Sequence, residues 1–64
     1  MTPVRAWLVS AEVVIDGDTR VMLNLTLADP HDRIRDPDTA STEAVSIIDE
    51  FGWRVERIRQ VRLR

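Results

Sequence analysis

The stretch that decides the fold is WLVSAEVVIDGDTRVMLNLTL, residues 7–27. Every odd-numbered position in 7–15 and in 21–27 is apolar. A period of two predicts β-strands, because alternate side chains share one face of a strand. Between the two runs lies Asp-Gly-Asp-Thr, and Gly adopts the positive φ that a tight turn needs. The stretch therefore predicts a β-hairpin, with a strand at 4–15, a turn at 16–19 and a strand at 20–28.

A polar loop and an amphipathic helix are predicted after the hairpin. Residues 29–38 hold two Asp-Pro steps and a single large apolar residue, Ile34, which is typical of a loop. Suitable N-terminal caps follow at Thr39, Ser41 and Thr42. The helix itself is predicted over 40–51 from an apolar stripe at positions i, i+3, i+4 and i+7, namely Ala44, Ile47, Ile48 and Phe51. Gly52 suits the end of that helix, and Trp53 is expected to pack back on Ile48.

The final segment, 53–63, is the hardest to interpret. Four apolar residues share one face at period two, but Ile58 falls on the other face, and a β-bulge would explain that change of phase. Continuation of the helix through Val55 and Ile58 is the alternative, which Gly52 and the β-branched residues make less favourable. We therefore expect a third strand.

These elements give a single α+β domain over 1–64, with the order ββαβ. A right-handed connection through the helix places the first strand in the middle of a three-stranded antiparallel sheet of order 2-1-3, with the helix on one face. One helix leaves the other face uncovered, and that face carries apolar side chains that we expect to form an interface. The predicted interface residues are Val4, Ala6, Leu8 and Met22. Because so short a chain has a small core, a homodimer is expected.

Composition excludes several chemistries. The chain has no Cys and one His, His31, which leaves no disulfide, no cysteine nucleophile and no conventional zinc site. The carboxylates lie where turns and helix caps favour them, as Asp16 and Asp18 do beside the hairpin Gly and Asp36 and Asp38 do before the helix. We expect no catalytic residues, no metal and no cofactor. No apolar run reaches membrane-spanning length, and the lack of Cys favours the cytoplasm.

One feature stands out, the arginines at the end of the chain. Residues 54–64 have a net charge of +4 and residues 1–53 a net charge of −6. In a regular strand Arg54, Arg62 and Arg64 would share one face, with Arg57 and Arg59 on the other. These five residues are the predicted binding residues, although arginines that only keep an edge strand soluble would look the same.

The sequence therefore leaves two classes of function. The expected one is a non-catalytic protein–protein interaction module, accessory or inhibitor-like, that acts as a homodimer on an unidentified protein. The alternative is a nucleic-acid-binding dimer that uses the arginine-rich strand. An isoelectric point of about 5.2 and a scarcity of aromatic residues favour the first.

Overall fold

The structure is a computed structural model that describes residues 5–64. Its elements follow in the order β1 (Ala6–Asp16), β2 (Thr19–Ala28), α1 (Pro37–Glu50) and β3 (Arg54–Leu63). The strands form one sheet of order β2-β1-β3, and β1 is antiparallel to both neighbours. The predicted α+β fold, with its ββαβ order, is confirmed. Within this part of the chain no helix has the length and apolar character needed to cross a membrane.

The hairpin has one constant register along most of its length. The pairs from Ala6–Ala28 to Val14–Arg20 follow without interruption, and a single shift occurs beside the turn. Gly17 lies in that turn with a φ of +67°, the left-handed region that favours glycine. Odd-numbered residues of both strands consequently point to the helix side, called the inner face below, and even-numbered residues point to the outer face.

The core lies between the inner face and α1. The inner residues of the central strand, from Trp7 to Val13, are all at most 5% exposed. The helix buries Ala40, Ala44 and Ile48 against them. Two of these three are alanines, so the helix contributes little side-chain bulk to the core except at Ile48.

The predicted helical stripe needs one correction. Phe51 is 65% exposed, because α1 ends at Glu50 and Phe51 is its C-cap. Its ring stacks on that of Trp53 with the centroids 5.1 Å apart. The stripe instead extends towards the N-terminus to Ala40, in a helix that begins at Pro37.

Both ends of α1 are capped by residues in the surrounding sequence. Asp36 is the N-cap, and its side chain accepts a hydrogen bond of 2.7 Å from the Thr39 N–H. At the other end Gly52 has a φ of +78° and donates to the Asp49 carbonyl, while the Trp53 N–H donates to the Ile48 carbonyl. This pair of bonds is a Schellman motif. Trp53 also packs against the cluster that contains Ile48, as expected.

Two irregularities in β3 resolve the ambiguity of the final segment. Opposite Ser10 and Ala11 the partners in β3 are Gln60 and Ile58, so Arg59 is an extra residue. A second shift, opposite Glu12 and Val13, leaves Glu56 extra in the same way. Each β-bulge moves the alternation by one residue. As a result Val55, Ile58 and Val61, which are spaced by three, all pack against the core.

Candidate binding surface

The two bulges also gather the arginines of the final segment on the outer face. In the pairing of β1 with β3, Arg54, Arg57 and Arg62 lie opposite outer-face residues of β1. The Arg64 N–H donates to the carbonyl of Ala6, another outer-face residue, which places Arg64 on the same face. Arg59, although extra, has its Nη1 3.4 Å from Glu12 Oε2 on that face. The expectation that Arg57 and Arg59 point away from the others is therefore wrong. It assumed an unbroken period of two.

The outer face has a strong positive charge. Arg20 of β2 joins the five arginines of 54–64, and the acidic residues beside them are Glu12 and Glu56, which leaves a net charge of +4. The helix on the opposite side has four acidic residues and no basic one. The charge of the molecule is thus divided between its two layers, basic on the sheet and acidic on the helix.

Ion pairs order one end of this face. Glu56 Oε1 lies 3.3 Å from Arg54 Nη2 and 3.6 Å from Arg20 Nη2. Arg20 and Arg54 are the register partners of Val14 on its two sides. Val14 is only 7% exposed although the helix does not cover it, so the stems of these side chains shield it from water.

Three other arginines of this face are free to bind. Among residues 5–64 no ion pair is formed by Arg57, Arg62 or Arg64, and all three are exposed. Beside Arg62 lies a shallow depression of about 310 Å³. The residues that line it with Arg62 include Leu8, Ser10, Asn24, Thr26 and Gln60. The end of the face at Arg62 and Arg64 therefore combines unpaired guanidiniums with neutral polar and apolar groups.

The predicted interface residues lie among these charges. Val4 is outside the described residues. Ala6 is buried, with 4% of its surface exposed, Leu8 is half-buried and Met22 is 52% exposed. Two copies stacked through this face would bring two surfaces of +4 together. The prediction that these residues form an interface stays a prediction, but the charges disfavour a face-to-face homodimer.

A second cluster of charged groups holds the loop between β2 and α1. Arg5 donates from Nη2 to the Ile34 carbonyl at 3.0 Å, and its Nη1 lies 2.9 Å from Asp32 Oδ1. Trp7 Nε1 donates to the same carbonyl, also at 3.0 Å. Asp29 is 4% exposed and accepts from two backbone N–H groups of the loop, at 2.7 and 2.9 Å.

The pKa of Asp29 follows from these contacts. Burial by itself raises that pKa, but the N–H groups of Arg33 and Ile34, and then the charges of Arg5 and His31, outweigh burial and lower it below the ordinary value. Asp29 is therefore an ionised anchor of the loop. An acid–base catalyst working near neutral pH would need the opposite shift.

The remaining chemistry of this loop is sparse. A cavity of about 350 Å³ lies between the loop and the helix, with exposed His31 and Glu43 at its edge. Within residues 5–64 no three His, Asp or Glu side chains come together in a way that could hold a metal ion. The one buried carboxylate that lines this cavity, Asp29, is already occupied by the backbone N–H groups of the loop, so the cavity is a weaker candidate than the outer face.

The outer face could not be predicted from the sequence as it stands, because its composition depends on two bulges. The signal that could have located them is the spacing of Val55, Ile58 and Val61, since three apolar residues at intervals of three fit a strand only when an extra residue is inserted between each pair. Comparisons of the chain with protein-family models, with curated proteins and with solved structures find no match.

Proposed function

We propose that this protein is a non-catalytic binding module of the cytoplasm that docks its outer sheet face on an acidic surface of another protein. The observation that carries this proposal is the collection of all five arginines of 54–64 on one uncovered face. Arginine forms planar, bidentate contacts with carboxylates, and it is enriched at protein interfaces. A surface of this kind recognises its partner by charge and speeds its association.

Protection of an edge strand explains the arrangement less well. Charged side chains discourage strand pairing at an edge whichever face they point to. The bulges at Glu56 and Arg59 bring the arginines onto the face instead, next to Leu8 and Met22. A surface that mixes guanidiniums with apolar and amide groups suits contact with a protein, since such contacts need buried area as well as charge.

A nucleic acid is the second candidate partner. Arg57, Arg62 and Arg64 form no ion pair within 5–64, and the acidic residues of the helix lie on the far side, where they would not repel a polyanion approaching the sheet. The face lacks an aromatic side chain, however, because Trp7 is in the core and Trp53 lies at the end of the helix. Stacking of bases, which supports binding to single strands, is therefore missing from this surface.

The test compares two double variants with the same change of charge. Arg57→Gln with Arg62→Gln removes two unpaired guanidiniums from the outer face. Arg33→Gln with Arg35→Gln removes two exposed ones from the loop and leaves that face intact. Binding is measured by fluorescence anisotropy over a range of salt, with three labelled probes: a peptide of alternating Glu and Leu, random-sequence duplex DNA and single-stranded RNA.

We expect the wild-type protein and the loop variant to bind the acidic peptide, and the face variant to bind it about tenfold more weakly, with a difference that shrinks at high salt. Failure of the wild-type protein to bind the peptide would overturn the proposal. So would tighter binding of DNA or RNA, with a salt slope that falls by about one unit for each arginine removed, because that result identifies phosphate contacts. Circular dichroism confirms that both variants fold.

A further inference from the structure

The two edges of the sheet differ in how they are protected. The edge at β3 has two bulges and five arginines on or next to the strand. Bulges interrupt the regular spacing of backbone donors and acceptors, and charges make pairing costly, so both features resist the addition of a further strand. Along residues 20–28 of the β2 edge no bulge interrupts the pairing, and the strand has one charge, Arg20.

The β2 edge is long and regular. Nine consecutive residue pairs, from Ala6–Ala28 to Val14–Arg20, keep one register, which makes the regular part of β2 about 30 Å long. Its residues include no Pro, and its one charged residue is Arg20 at the end nearest the turn. Within 5–64 no backbone hydrogen bond outside the sheet involves this strand. The outward N–H and C=O groups of β2 are thus ready to pair.

Apolar surface lies beside this edge on both sides of the sheet. On the inner face Leu23 and Leu25 are half-buried and Val21 is 36% exposed, whereas the equivalent residues of the central strand are buried. On the outer face Met22 is 52% exposed. A strand added here would satisfy the backbone groups and cover these side chains together.

We propose that β2 pairs in antiparallel fashion with β2 of a second copy across a two-fold axis at Asn24. The two three-stranded sheets then join into one sheet of six strands. In this pairing each residue lies opposite one whose side chain is on the same face of the sheet. On the inner face Val21 lies opposite Leu27, and Leu23 lies opposite Leu25. Arg20 meets the neutral Ala28, and no like charges meet along the pairing.

Charge explains why the second copy uses the edge and not the face. Stacking of two outer faces opposes two surfaces of +4, which is unfavourable. Pairing at the edge places the two outer faces side by side on one side of the sheet and both helices on the other. The arginines of β3 in the two copies then lie at opposite edges of the joined sheet, about 24 Å apart by strand spacing.

The test uses a substitution that is nearly isosteric. Asn24→Asp places two carboxylates directly opposite each other at the two-fold axis, and it keeps the oxygen that accepts the hydrogen bond from Ser10 Oγ at 2.7 Å. Gln60→Glu is the matched control. Gln60 is the register partner of Ser10 on the other side, so the same change of charge is made on the same face but at the β3 edge.

Sedimentation equilibrium measures the mass of each protein over a range of concentration. We expect a dimer for the wild-type protein and for Gln60→Glu, and about tenfold weaker association for Asn24→Asp, because like charges opposed across strands repel. A wild-type protein that stays monomeric up to about 100 μM would overturn the proposal, because a dimer with a micromolar dissociation constant is mostly associated at that concentration. A dimer that Asn24→Asp leaves unchanged, or that both variants weaken equally, would also overturn it.

Hydrogen exchange of the wild-type protein provides a readout that needs no variant. Amides of β2 that point outward should exchange more slowly as the concentration rises through the dimerisation range, and amides at the β3 edge should not change. Slowing at β3 alone would place the contact elsewhere and overturn the proposal. Neither measurement depends on the arginines, so failure of the dimer leaves the proposed acidic partner untouched.

Discussion

Substitution of Ile48 by Ala tests how the two layers are held together. Ile48, 1% exposed, is the largest fully buried side chain among residues 5–64, and the alanines of α1 provide no other bulk at that depth. The substitution removes three buried carbons, worth about 2.4 kcal/mol at 0.8 kcal/mol for each. Incomplete collapse of the cavity adds to this, so we expect a total loss of about 2.5–4 kcal/mol. A chain of this length has a total stability of about 3–10 kcal/mol, so the variant should lose a large fraction of it.

Leu25→Ala is the comparison that shows whether the loss of stability depends on burial. It removes the same number of carbons from a side chain that is only half-buried, so we expect about half the loss of Ile48→Ala. Val45→Ala, at a position 40% exposed on the same helix, should change stability by less than about 0.5 kcal/mol. Urea unfolding is followed by circular dichroism and by the fluorescence of the buried Trp7, at a concentration where the protein is monomeric.

A loss below about 1 kcal/mol for Ile48→Ala would refute the packing described for α1. A loss for Leu25→Ala equal to that for Ile48→Ala would show that β2 is covered more completely than its exposure indicates. The order of the three losses is the informative result, because all three variants share the same unfolded-state reference.

Two further predictions concern the ends of the helix and the loop before it. Gly52→Ala should lower the free energy of unfolding in urea by about 1–2 kcal/mol. Nothing lies within 4 Å of the added Cβ, so the cost comes only from the φ of +78°. Gly52→Asn should recover part of this loss, and equal stability of all three proteins would contradict the left-handed cap. The pKa values of Asp29 and Asp36 in the folded protein lie below the ordinary value of 3.8. Their ionised forms therefore stabilise the folded state above about pH 4, and this stabilisation is lost as the pH falls through their pKa values in the folded protein. Asp29→Asn should therefore flatten the acid side of a plot of melting temperature against pH, and an unchanged slope would contradict the assigned loop contacts.

The hairpin and the helix could be predicted because their signals are local. Alternation in β1 and β2 is uninterrupted, and Gly17 and Gly52 mark positions where the backbone has positive φ. The exposure of Phe51 could not be predicted in the same way. Its spacing fits the helical stripe, but the helix ends one residue earlier, and the end of a helix depends on the competition between caps. Asp36 is the N-cap in place of Thr39, because Pro is favoured at the first position of a helix and the helix can begin directly at Pro37.

The binding surface was harder to predict, because the net charge and the assumed regular alternation of the last strand both indicated a different distribution of charge. A chain with a net charge of −2 and an acidic first part suggests a body that repels polyanions. In the folded protein, however, the four acidic residues of α1 lie on one side and the arginines on the other, so the average describes neither surface. The sequence gives the order of charges along the chain. A partner instead contacts the arrangement of charges that the folded sheet presents on its surface.

The same two bulges connect the core to that surface. Without them a strand that begins with Val55 inward would place Ile58 on the outer face and Arg57 and Arg59 over the core. Burying guanidiniums without partners costs far more than an irregular pairing does, so the bulges at Glu56 and Arg59 are required for the strand to pack at all. Once they are present, every arginine of β3 must point outward. The basic face is therefore a direct consequence of how the core is closed, and a variant that removes a bulge residue would disturb packing and charge together.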